Sequence, residues 1–477
     1  MLFNSVEFLL AFLPIVLIVY YLLPHRQQNA FLVLASCFFY ASWDWRFLLP
    51  LLCTTGLDYW VAGQLEASHQ RGAADAPRRK RLLWVSVAAN LSLLGFFKYC
   101  NFFIESASGV MQLLGLDVSL HTLNIVLPVA ISFYTFQALS YTIDVYRGEL
   151  HPSGTFWDFF LGVLYFPHLV AGPIQRASSL LPQVLQPRHT TRQQWEDGLH
   201  LMVWGFFKKM FLADNLAPIV DQIFHKPDPS GGEVLVGVLA FTFQIYGDFS
   251  GYTDIARGVA KIMGFEFGLN FNLPYFARNP SDFWRRWHIS LSSWLRDYLY
   301  ISCGGNRGGE AKTYRNLMIT MVLGGLWHGA AWNFVLWGFF HGGLLSVHRY
   351  VAPRMEALER AMRLPAGIWT VLHIGSMFAI TCYGWLLFRA TSLSQITQMT
   401  AALANPLQGL DLGLLQRIGW YVLPLAVVQW VQWRTGELQF MRLPFIPGWS
   451  KPMIYGAMVY ATAFLGGTPQ SFVYFQF

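Results

Sequence analysis

Apolar residues along this chain run in long blocks separated by short polar punctuation. The first block, Val6 to Leu23, is apolar apart from Glu7. The polar stretch Pro24–Asn29 follows, then a second block to Tyr40 and a third from Phe47 to Ala62. The segment Ser68–Arg81 then gathers Arg71, Arg78, Arg79, Lys80 and Arg81. Later blocks cover Leu82–Phe97, Phe102–Leu116, Leu123–Ile143, Phe156–Ala171, Gly198–Leu212, Val234–Ile245 and Asn316–Leu326. The last ones are Ala330–Val347, Trp369–Phe388, Ile418–Val431 and Pro452–Leu465, with an amphipathic surface stretch expected at Val351–Leu364. Several blocks fall short of the roughly 20 residues a helix needs to cross the hydrocarbon core. Short apolar segments carrying Pro and Gly suit re-entrant or broken helices inside a bundle. The pattern therefore predicts an all-α polytopic membrane protein with about 11 crossings and about two re-entrant pieces between Phe241 and Trp327. No internal repeat is visible.

Composition narrows the class. Of 477 residues 54% are hydrophobic and 12% charged, where a soluble domain carries about 25% charged. This excludes a soluble enzyme, a disordered chain and a coiled coil. The net charge of +7 reads as basic cytoplasmic loops, with no nucleic-acid partner implied. The basic segment Ser68–Arg81 is expected on the cytoplasmic side, and counting back three helices puts the N-terminus outside. The first block has neither the basic flank nor the cleavage site of a signal peptide, so it is expected as a retained helix. The five cysteines form no C-x-x-C, so neither a disulfide framework nor a metal site is implied.

Scarce charge makes each polar residue at membrane depth costly and hence a functional candidate. His328 stands in GGLWHGAAW between apolar helices, where the flanking glycines suggest room for a ligand. A neutral imidazole there suits proton abstraction from an alcohol; the alternative is a histidine joining two helices. His288 stands in FWRRWHISLSSWLRDY, where Phe283, Trp287, Leu291 and Trp294 share one face at helical spacing. This run reads either as an interfacial helix or as a site helix whose arginines meet an anionic donor. In YGDFSGYTDIARG, Asp254 and Arg257 are spaced to pair and hold a broken helix, a structural role for Asp248 and Asp254. The Gly304–Gly309 loop lacks the phosphate-loop pattern and reads as part of a basic cytoplasmic patch. His168 reads as structural, and Lys208 and Lys209 as snorkelling interface anchors. The residues Thr468–Phe477 form an aromatic stretch with a single phenol, Tyr474.

The runs LPVAISFYTFQALSYTIDVYRG, FPHLVAGPIQR, QIYGDFSGYTDIA, FWRRWHISLSSWLRDYLYISCGGNRGG and GGLWHGAAWNFVLWG resemble the membrane-bound O-acyltransferase family, in its bacterial polysaccharide-acetylating branch. The resemblance covers nearly the whole chain. It implies a ring of helices with re-entrant segments around a central funnel. It implies one acyltransferase domain over 1–477, with N-terminal helices in 1–150, a catalytic core in 151–350 and C-terminal helices with the aromatic tail in 351–477. His328 matches the family's active-site histidine and His288 its second histidine. On this reading His328 is general base, His288 holds or polarises the thioester carbonyl, and Trp327 and Asn333 shape the wall. Arg285, Arg286 and Arg307 meet donor phosphates, and Tyr474 is a candidate acyl relay. The resemblance also implies acetyl-CoA as donor substrate, no permanently bound cofactor and no metal. A periplasmic SGNH-type acetyltransferase or esterase is the implied partner, and an alginate-like exopolysaccharide or peptidoglycan the acceptor. The implied location is the bacterial inner membrane. Competing classes are a transporter or flippase of a glycan or lipid-linked precursor, D-alanyl-type acyl transfer, and a non-catalytic scaffold. A transporter would spread charge along a pathway and often repeat its halves; here polarity concentrates in one third of the chain.

Overall fold

The computed structural model describes residues 1, 3–116, 121–152, 154–170 and 172–475. Ala171 of the FPHLVAGPIQR run, and Gln476 and Phe477 of the aromatic tail, lie outside these. Among the described residues every regular element is a helix, as expected where lipid offers the backbone no hydrogen bonds. Four helical stretches are individually long and apolar enough to cross a membrane: Ala73–Leu113, Gly231–Ile262, Ala366–Arg389 and Leu412–Thr435. Large apolar side chains such as Leu10, Leu22, Leu113, Val371, Trp420 and Phe464 are exposed, as lipid-facing positions of a multi-pass membrane protein are. The chain forms two compact units, Met1–His200 with Ala256–Gly268, and Leu201–Ile255 with Leu269–Phe477.

The first unit contains α1 (Leu13–Leu22), α2 (His25–Asp44), α3 (Leu48–Gln70), α4 (Ala76–Leu94), α5 (Cys100–Leu113), α6 (Ile131–Arg147), α7 (Phe156–Leu164), α8 (Phe166–Leu169) and α9 (Ala177–Leu185). The expected polar turn at Pro24–Asn29 shrinks to its proline. α2 begins at His25, and Gln28 and Asn29 donate to the carbonyls of Tyr20 (3.1 Å) and Val184 (2.9 Å). Arg78 to Arg81 likewise lie in the first turns of α4, not in a loop. The blocks Leu82–Phe97 and Phe102–Leu116, expected as two crossings, join through a π-turn at Gly95–Tyr99 into one stretch of 41 residues. Its one proline, Pro77, sits in the first turn of α4, and none lies between the two blocks. α6, by contrast, starts late, because Ala130 is left-handed (φ 64°) just before it. The chain breaks at Tyr165 between α7 and α8, Pro167 stands in the first turn of α8, and His168 is buried beside Tyr165 and Phe267.

The second unit holds the motif-rich third of the sequence. α10 (Arg192–Phe206), which belongs to this unit from Leu201 on, continues through a π-helical turn, Phe207–Ala213, into α11 (Asp214–Phe224). α12 (Gly231–Ile262) is one helix of 32 residues. The broken or re-entrant piece expected around Asp248–Arg257 is therefore absent. α12 contains no proline, and its glycines serve packing: a Cβ on Gly251 would lie 2.8 Å from the Gly205 carbonyl oxygen of α10. Small residues of this kind let membrane helices approach closely. Then come α13 (Pro280–Trp284), α14 (Ile289–Trp294), α15 (Glu310–His328), α16 (Trp332–Met362), α17 (Ala366–Arg389), α18 (Leu393–Ala402), α19 (Leu412–Thr435) and α20 (Ser450–Phe464). α16 absorbs the stretch expected as a separate surface element at Val351–Leu364. α15 and α16 form a tight hairpin. A Cβ on Gly325 would sit 2.1 Å from the Phe334 carbonyl oxygen, and one on Gly338 would sit 2.4 Å from that of Met321.

Candidate active site

The FWRRWHISLSSW run does not form the continuous helix its spacing suggests. Asn279 caps α13 through the Asp282 N–H (2.8 Å), and Pro280 occupies its first turn. The helix stops at Trp284, and His288 adopts a left-handed conformation (φ 42°, ψ 54°) before α14 begins. Such a conformation costs an L-residue about 1–2 kcal/mol, so the surroundings must enforce it. The segment around Asn270 does so. Its carbonyl accepts from Ile289 N–H at 2.9 Å. Its side-chain oxygen accepts from Ser290 N–H (3.2 Å), Ser290 Oγ (2.9 Å) and His288 Nδ1 (3.2 Å). With an oxygen that only accepts at Nδ1, the His288 proton sits there and Nε2 carries the basic lone pair.

His288 is fully buried, and aromatic rings converge on it. Its ring centroid lies 4.7 Å from Phe249 and 6.0 Å from Trp327. His328, the last residue of α15, lies 5.1 Å from Trp327, 5.0 Å from Trp337 and 5.3 Å from Phe388. The Tyr474 ring closes the cluster, 5.5 Å from His328 and 4.6 Å from Phe249. Three nominated residues separated by up to 186 positions (288 to 474) therefore share one aromatic-walled site with Trp327. Asn333 stands behind it: its amide donates to the Phe388 carbonyl at 3.2 Å, fixing the residue whose ring covers His328.

The glycines flanking His328 do not leave ligand space. Leu295 fills the position over Gly324, the Phe334 carbonyl that over Gly325, and the Phe334 ring that over Gly329. Their role is close packing of the α15–α16 hairpin.

The candidate donor arginines are dispersed. Arg285 lines a cavity of about 610 Å³ together with Trp284, Arg296, Thr320, His348 and Arg349. Arg286 is held by Asp282 (2.9 Å) and by the Asn272 carbonyl (3.2 Å). Arg307 is exposed on the glycine loop and is not among the cavity-lining residues. Arg349 was not nominated from sequence. Leu345, Arg349, Ala352 and Glu356 recur at helical spacing on α16 and line the cavity, a periodicity that marks the face. Arg349 makes a two-pronged pair with Glu310 at 2.9 Å, which holds that carboxyl below its ordinary range. Phe249, Asn270, Trp337 and Phe388 were missed as well; a buried asparagine eighteen residues before His288 was the signal available.

Lys208 and Lys209 overturn the snorkelling expectation. Both are buried, at 2% and 1% exposure. A π-turn faces them inward, where carboxylates replace water as partners. Lys208 Nζ lies 2.6 Å from Asp254 and donates to Ser250 Oγ at 3.0 Å. Lys209 Nζ lies 2.8 Å from Asp214 and 2.6 Å from Asp248.

The model of the membrane-bound O-acyltransferase family matches residues 159–388, a range that includes both histidines. A "Probable alginate O-acetylase" of Azotobacter vinelandii is 44% identical over 405 residues, 84% of this chain and 78% of the relative. A "Peptidoglycan O-acetyltransferase" of Helicobacter pylori is 35% identical over 447 residues, 86% of this chain and 81% of the relative. A "Teichoic acid D-alanyltransferase" of Bacillus subtilis is 27% identical over 281 residues, 56% of this chain and 69% of the relative. A multi-pass helical chain with this motif set, family match and extent of identity belongs to the membrane-bound O-acyltransferase family and is an O-acyltransferase.

Proposed function

We propose that the protein moves an acetyl group from cytoplasmic acetyl-CoA to an extracytoplasmic polysaccharide, an alginate-like exopolymer or peptidoglycan. It would work in the bacterial inner membrane, N-terminus outside, with a periplasmic SGNH-type partner. The observation that carries this reading is the convergence of His328, His288 and the Tyr474 phenol in one water-poor aromatic site. In such a site preorganised hydrogen-bonding groups stabilise developing charge more than they would in water. His328 takes the Tyr474 hydroxyl proton as the phenol oxygen attacks the thioester carbonyl. The carbon–sulfur bond breaks, and the imidazolium returns its proton to the departing thiolate. The resulting aryl ester then passes its acetyl group to a partner hydroxyl. His288, its tautomer set by Asn270, directs Nε2 chemistry at the same carbonyl. Arg285, Arg296 and Arg349 in the cavity receive the donor's anionic groups. Acetyl is favoured over D-alanyl because the relatives that share 35–44% identity are named as O-acetyl enzymes.

The test is labelled acetyl transfer in proteoliposomes supplied with acetyl-CoA, partner and polymer. His328→Ala is expected to lose about 10²–10⁴-fold, the usual share of general acid–base catalysis. Retention of more than half the wild-type rate refutes the assignment.

A further inference from the structure

The ion cluster around Lys209 does more than neutralise itself. Besides its two carboxylates, Lys209 Nζ donates to the Gln470 carbonyl at 3.0 Å. Asp248 uses Oδ1 for the lysine and accepts the Val473 N–H at Oδ2, at 2.6 Å. Further along, Gly467 N–H donates to the Met210 carbonyl at 3.1 Å, in the same π-turn that carries Lys209. A Cβ on Gly467 would lie 2.5 Å from the Asp214 backbone, so the segment lies directly against the third member of the cluster. Ionisable side chains of the cluster thus hold Gln470 and Val473 through backbone atoms, and the π-helix backbone beside them holds Gly467.

The grip sits beside the candidate active site. Asp248 and Phe249 are neighbours on α12. The first holds Val473, and the second lies 4.6 Å from the Tyr474 ring and 4.7 Å from His288. Phe472 is buried between Tyr252 (4.7 Å) and Phe249 (5.7 Å). Hydrophobic burial alone is non-directional and leaves such a segment free to slip. A slip of one residue would move each Cα to its neighbour's place, about 3.8 Å away, enough to remove Tyr474 from His328. Directional bonds from fixed charges set a register that packing does not.

We propose that the Lys209–Asp248–Asp214 cluster is a clamp that sets the register of residues 467–475 and so presents the Tyr474 phenol to His328. Lys209 and Asp248 are positioning residues. The proposal rests on the acyl-relay reading of Tyr474 for its consequence, not for the clamp itself. The experiment uses the full chain in nanodiscs with Val473→Cys as a reporter, a near-isosteric change at a buried position that keeps the clamped N–H. Maleimide labelling there is read by mass spectrometry of the C-terminal peptide. Lys209→Met and Asp248→Asn are each expected to speed labelling at least tenfold. Each also lowers kcat at least tenfold while leaving the donor KM within twofold. Lys209→Arg, which keeps the cation, restores slow labelling. Asp248→Asn is isosteric and carries the test if Lys209→Met does not fold. Wild-type labelling rates in monodisperse samples of the charge-removing variants overturn the clamp. Released labelling with undiminished kcat overturns the positioning role. Full activity of Tyr474→Phe sinks the relay reading alone, which keeps the two failures apart.

Discussion

Gly325→Ala tests whether the α15–α16 hairpin sets the position of His328. The added Cβ would stand 2.1 Å from the Phe334 carbonyl oxygen and 3.1 Å from both Cα and N of Gly338. None of these is the end of a flexible side chain; all are backbone. Ordinary contact begins near 3.4 Å, so the two helices must part by about 1.3 Å at this level. His328 lies three residues further along α15, less than one turn away, and moves with it. Overpacking of this kind costs about 1–3 kcal/mol, and a displacement of about 1 Å at a reacting group can cost about 10²-fold in rate. The prediction is a modest fall in melting temperature and a loss of acetyl transfer near 10²-fold per folded enzyme. The assay is proteoliposome transfer normalised to monodisperse protein. Gly343→Ala, on the other helix of the hairpin with nothing within 4 Å of its Cβ, is the control and should leave the rate unchanged. If Gly325→Ala transfers within twofold of wild type while folded, the hairpin does not set the site.

Other outcomes follow from named contacts. Asn270→Ala removes the acceptor shared by His288 Nδ1 and two Ser290 donors. A cost of about 1–3 kcal/mol corresponds to a kcat loss of about 10–100-fold; an unchanged kcat would show that the tautomer is set elsewhere. Arg349→Ala should raise the donor KM about tenfold or more with kcat unchanged, measured by initial rates over donor concentration. A fall in kcat at constant KM would remove Arg349 from donor binding. Lys208→Met takes the cation from Asp254 within a buried pair and should destabilise by roughly 3–5 kcal/mol. Thermal unfolding in detergent reads this, and an unshifted midpoint rejects a structural role for the pair.

Much of the architecture is legible from the apolar blocks, because in lipid a helix satisfies its own backbone and needs little else. Boundaries fared worse, and for identifiable reasons. The run Gly247, Asp248 and Gly251 suggests a break in α12, yet the glycines pack against neighbouring helical backbone and the Asp248 carboxylate finds Lys209. The regular spacing of Phe283, Trp287, Leu291 and Trp294 suggests one helix. A contact from Asn270, invisible to local periodicity, turns His288 out of it instead. His328 stands out in sequence as a polar group in apolar surroundings, and His288 by its place in an aromatic, arginine-rich run. Arg349 does not, because an arginine just past an apolar block (Ala330–Val347) is ordinary.

The lysine pair shows why the remainder resists a residue-by-residue reading. Taken singly, a lysine at an apolar helix end has a cheap solution, which is to extend its stem towards water. That solution fits Lys208 and Lys209 until their partners are known. Asp214 follows five residues later, Asp248 and Asp254 lie on another helix, and the Gln470 carbonyl lies 261 positions away from Lys209. Burial of the ammonium groups is tolerable only when these meet. The same meeting brings Lys209 and Asp248 onto the backbone of Gln470 and Val473, so on the proposed clamp a charge that reads singly as an interface anchor serves the site.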